Sequence, residues 1–140
     1  MRRSTAWNVL KPALVGVSAV VAGYAVVALL SELVQEVWLG GVSYRHSSTW
    51  ALALAGVFTP AGGVLGGVVA GAIGRRFPLA HGLALSAVIV AETTYLFTTH
   101  RVDGPLWFEA GAGATLAAAV VFGSWLVGRW LRKTVTDLSR

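Results

Sequence analysis

The chain has 140 residues, of which 56% are hydrophobic and 12% charged. Soluble domains carry about 25% charged residues, so this deficit, with a mean hydropathy of +0.70, excludes an ordinary soluble domain and places the chain in a bilayer. It has no cysteine, which excludes disulfides, thiol catalysis and thiolate metal sites, and its net charge of +5 reads as basic residues at span ends rather than as nucleic-acid binding.

A hydrocarbon core of about 30 Å needs about 20 apolar residues per helical span. Four such stretches fill most of the chain and leave no room for a soluble domain. The expected fold class is therefore all-α: a single membrane domain, residues 1–140, built as a four-transmembrane-helix bundle. The N-terminus is short and basic. Residues 12–31 carry no charge and form span one, too long for the apolar core of a signal peptide. Its helix has room to continue to Leu39. The segment 40–49 (GGVSYRHSST) breaks the pattern and reads as a loop. Span two covers 50–73 and stops at Arg75-Arg76. Pro78 suits the first turn of span three, where its missing N–H is not needed, and that span covers 79–99. Asp103 reads as a turn residue. Pro105 fits the start of span four, 105–129, and the basic tail after it is expected to lie along the inner surface.

Orientation follows from the basic residues beside the spans. One side holds Arg2, Arg3, Lys11, Arg75, Arg76, Arg129, Arg132, Lys133 and Arg140; the other holds Arg45 and Arg101. Both termini are expected in the cytoplasm. The aromatic belts agree, with Trp38, Tyr44, Trp50, Trp107 and Phe108 at the outer interface and Trp7, Phe77, Trp125 and Trp130 at the inner one.

Glycines mark span two. Gly63, Gly67 and Gly71 recur every four residues, as do Gly62 and Gly66. Small residues at this spacing make a flat groove against which another helix packs closely. Span four carries a matching small surface around Gly111, Gly113, Ala114 and Ala117. Either these faces hold the bundle together, or one of them docks a second copy or a larger partner.

Five of the six acids lie toward the outer side: Glu32, Glu36, Glu92, Asp103 and Glu109, against Asp137 inside. Glu92 is the sharpest. If span three enters the hydrocarbon near Leu79, Glu92 lies about 20 Å in, about 10 Å short of the far surface. A carboxylate there must be protonated, paired or facing a wet cavity. Tyr95 and Thr99 follow at i+3 and i+7 on one polar stripe. Pro60 removes a hydrogen bond from the Gly56 carbonyl, and Gly56 lies at a depth close to that of Glu92. One expectation is that protonated Glu92, or a cation on its carboxylate, uses that carbonyl. The other is that Glu92 bonds a Ser, Thr or Tyr on another helix and fixes the register of the bundle. Glu32 and Glu36 are i,i+4 neighbours, either a solvated helix end or a cation-attracting mouth. Glu109 sits early in span four, where the helix dipole favours an anion.

His46, His81 and His100 are scattered, with no spacing for two ligands on one helix face, so no metal and no cofactor is expected. No nucleophile motif is present, and GGVLGGVVAG lacks the strand and lysine of a phosphate loop. Nothing points to an enzyme. The junction AGAIGRRFPLAH resembles that of small four-span bacterial inner-membrane proteins of unknown function, in which a glycine-rich second span ends in a basic pair, then proline-leucine and a histidine. The resemblance implies the bacterial inner membrane and carries no activity or site residue.

Two functions fit. The first is a structural or accessory subunit, packing against itself or a larger membrane complex. The second is a small proton or cation transporter or channel, with Glu92 as the intramembrane binding residue. The expected partners are the lipid bilayer, a homo-oligomer or a larger complex, and no nucleic acid.

Overall fold

The computed structural model describes the backbone of residues 3–101 and 104–138 and the side chains of 10–101 and 104–134. Arg2, Asp103 and Arg140 lie outside the described residues, as do the side chains of Arg3, Trp7 and Asp137. Four long helices make up the fold, and no strand occurs among the described residues. Helix α1 is Arg3–Glu32, α2 Thr49–Ile73, α3 Pro78–Thr98 and α4 Leu106–Leu138. Each contains a stretch long and apolar enough to cross a membrane: Leu10–Trp38, Thr49–Ile73, Pro78–Thr98 and Leu106–Thr134. The chain is a multi-pass membrane protein built as a four-helix bundle.

The ends of the helices follow local chemistry. Beyond Glu32 the first helix does not stop but widens into a π-helical segment, Leu33–Trp38. Gly40 and Gly41 then take φ of 71° and 90°, a left-handed turn open to glycine, and the Gly41 N–H closes on the Gln35 carbonyl at 2.9 Å. Ser48 caps α2 by accepting from the Ala51 N–H at 3.2 Å. Pro78 stands in the first turn of α3. His100, at φ 53°, takes the left-handed position after α3, and the Arg101 N–H returns to the Leu96 carbonyl at 3.0 Å. The basic tail is not a separate surface segment: α4 runs on to Leu138, because nothing between Arg129 and Leu138 breaks a helix.

Packing runs in the order α1, α2, α4, α3. Helix α2 lies between α1 and α4, α3 leans on α4, and α1 meets α3 lightly. The two glycine rows of α2 explain its central place. A Cβ on Gly67 would collide with the Val120 carbonyl of α4, and one on Gly63 would meet the Leu116 side chain at 2.8 Å. The contact is mutual, since a Cβ on Gly123 would collide with the Val64 carbonyl. The other row faces α1. A Cβ on Gly66 would strike Val27, and one on Gly23 would lie 2.8 Å from the Gly66 carbonyl. Gly82 of α3 admits the buried Ser124 of α4, whose hydroxyl donates to the Val121 carbonyl at 2.8 Å. Leu85 and Val120 are fully buried at the centre, with Val27, Ala70, Ile89 and Ala117 around them. Valines, leucines and phenylalanines such as Val21, Leu29, Leu65 and Phe122 face outward, as a lipid environment requires.

Candidate functional site

Glu92 meets α1. The Tyr24 hydroxyl donates to Glu92 Oε1 at 2.8 Å. Both residues stand well inside the apolar stretches of their helices. Tyr24 is the middle residue of the apolar stretch Leu10–Trp38, and Glu92 lies about 21 Å along α3 from Pro78. Tyr24 is half-buried against the core, while Glu92 is exposed on the outside of the α1/α3 seam. This seam is the lightly packed one, so the hydrogen bond ties the two helices where few other contacts do. Toward the Arg75-Arg76 end the seam opens into a groove of about 400 Å³ lined by Gly16, Val20, Ala80, His81 and Ala84. The His81 Nδ1–H donates to the Phe77 carbonyl at 2.8 Å. Its Nε2 lies toward Gly16 of α1.

The other expected members of the site lie elsewhere. The Thr99 hydroxyl donates to the Tyr95 carbonyl at 2.8 Å, within its own helix. The Tyr95 ring lies beneath the Arg101 guanidinium, 6.0 Å away. Glu32 and Glu36 are exposed, while Gln35 between them turns inward and donates to Thr59 Oγ1 at 3.1 Å. Gly56 is not beside Glu92. Depth along the membrane is one coordinate; the other is which side of α2 the residue occupies, and Gly56 lies on the side toward α4. Of the packing glycines, Gly63, Gly67 and Gly71 are buried against α4, whereas Gly111 is exposed with nothing within 4 Å of a Cβ.

Gly56 and Gly111 belong to a cavity of about 640 Å³ between α2 and α4, at the end opposite Arg75-Arg76. Glu109, Arg101, Thr59 and Thr115 are among the residues that line it. Tyr44 forms an aromatic wall with Phe108 at 4.8 Å and Trp107 at 5.9 Å. Among the described residues, no three His, Asp or Glu side chains gather as metal ligands.

Tyr24 was not singled out in the sequence, although a signal exists: it is the one aromatic residue between Pro12 and Ser31. Gln35 and Arg101 gave no such signal, because each is an ordinary interfacial residue until the loops fold over α2 and α4. Comparison of the chain with protein-family models, curated proteins and solved structures finds no match.

Proposed function

We propose that the protein is a non-catalytic accessory subunit of a larger assembly in the bacterial inner membrane, docked through its α1/α3 face. The observation that carries this reading is the exposure of Glu92. An acidic side chain facing lipid costs up to about 2.5–3.5 kcal/mol on insertion scales, the value at a helix centre, and one tyrosine hydroxyl offsets only part of that. A neighbouring helix that supplies a donor offsets the rest. No Lys or Arg occurs in 12–44, 46–74, 77–100 or 105–128, so a second copy brings no cation to this depth. The partner is therefore a transmembrane helix with a basic or amide side chain level with Glu92. The nine basic residues on one side and two on the other support cytoplasmic termini.

The test is a photocrosslinker at Val88, which is exposed one turn before Glu92. We expect a crosslink to a membrane protein whose helix carries Lys, Arg, Asn or Gln at the matching level. Glu92→Leu abolishes it, as does Leu at that partner position, while the melting midpoint of the isolated protein is unchanged or raised. Crosslinks to a second copy alone, or a partner indifferent to Glu92→Leu, overturn the reading.

The same exposed carboxylate supports a second reading, proton or cation transport through Glu92. Flux into vesicles that stops with Glu92→Gln favours it; flux unchanged by that substitution removes it.

A further inference from the structure

We infer that the cavity between α2 and α4 is a binding site for a zwitterion that joins an ammonium to an anionic group, either a soluble small molecule or a lipid headgroup such as phosphoethanolamine. This inference is independent of the α1/α3 docking face and involves none of its residues.

The space comes from two absent side chains. Gly56 and Gly111 both line the cavity, and a Cβ at either meets nothing within 4 Å. A Cβ on any other glycine of α2 or α4 would have an atom of a neighbouring helix within 4 Å; here the two positions are left open. The resulting volume of about 640 Å³ falls within the range of about 300–1,000 Å³ usual for small-molecule sites.

The chemistry of the lining selects the ligand. Glu109 and Arg101 stand on one cavity, yet no ion pair joins them among the described residues. Arg101 is held instead over the Tyr95 ring. A ligand with one charge of each sign can answer both, its anion on the guanidinium and its ammonium on the carboxylate. The α2 wall adds an acceptor. Pro60 has no N–H, so the Gly56 carbonyl lacks its helical donor, and Gly56 lies on the cavity. Gln35 donates to Thr59 Oγ1, which leaves the Gln35 carbonyl and the Thr59 hydroxyl proton for a ligand. Tyr44, Phe108 and Trp107 supply aromatic surface, which favours an alkylammonium. At Gly63, one turn beyond Thr59, α2 and α4 are in close contact.

The experiment uses the full chain in nanodiscs of phosphatidylglycerol, which carries no ammonium. Phosphoethanolamine and glycine betaine are titrated as soluble probes; phosphatidylethanolamine is added to the nanodisc as the lipid probe. Binding is read by native mass spectrometry and by the shift in melting temperature. We expect at least one zwitterion to bind. Glu109→Gln and Arg101→Gln should each weaken it about tenfold, the equivalent of about 1.4 kcal/mol. Gly111→Leu should fill the pocket and abolish binding, with helicity kept and ligand-free melting unchanged or raised. Binding of a soluble probe assigns a soluble ligand, and binding of phosphatidylethanolamine alone assigns a headgroup. No binding by any probe, or binding unaffected by both charge substitutions and by Gly111→Leu, overturns the inference.

Discussion

Tyr24 and Glu92 form a side-chain hydrogen bond between α1 and α3, yet its worth to the fold is small. Interhelical hydrogen bonds in membranes contribute about 0.6 kcal/mol on average. Tyr24→Phe should therefore lower the unfolding free energy by roughly that amount, measured by titration with a denaturing detergent. A loss above about 3 kcal/mol would make the pair a keystone of the bundle and weaken its reading as a docking feature. The same scale shows where reading from sequence runs out. The position of Glu92 along its helix was legible, because residue count fixes distance along the axis. Its partner was not, since Gly56 and Tyr24 both satisfied the depth argument. Only the rotation of each helix about its axis decides between them, and with short loops and a uniformly apolar surface that rotation leaves little trace in the pattern of residues.

At the scale of the element, α2 shows how glycine spacing becomes helix order. Its two rows, Gly62/Gly66 and Gly63/Gly67/Gly71, are offset by one residue, hence by about 100° around the axis. They face different neighbours, α1 and α4. A Cβ at Gly67 meets backbone, which cannot rotate away. We expect Gly67→Ala to destabilise the protein by about 1–3 kcal/mol, the range for overpacking a closed core. Gly111→Ala should be neutral or stabilising by up to about 1 kcal/mol, from helix propensity alone. Detergent unfolding of the two variants side by side measures the contrast; equal losses would mean that close approach at Gly67 is not what holds α2 to α4. The glycine rows themselves were plain in the sequence. That both are used inside the bundle was not, because a stripe of small residues does not record whether its neighbour belongs to the same chain. The end of α1 illustrates the opposite case. Gly40-Gly41 marked the stop, and the helix reaches almost to it, but the change to π-helix after Glu32 left no mark in the residues.

For the whole molecule, the four spans were legible because bilayer thickness and the cost of charge act on each helix separately. The order α1, α2, α4, α3 depends on pairs of helices and needed the structure. That order has a consequence for assembly. Neighbours in sequence, α1 with α2 and α3 with α4, pack well within each pair. The close contact between the pairs is the glycine and carbonyl surface of α2 and α4. The molecule is thus two hairpins clasped chiefly along the α2/α4 seam, joined covalently only by the short turn at Arg75-Arg76. In the two-stage scheme of membrane folding, such a seam forms between helices already inserted. A gene split between Arg75 and Arg76, with both fragments made in one cell, should yield a non-covalent complex recovered intact in mild detergent. Gly67→Leu in the first fragment should leave the two halves apart.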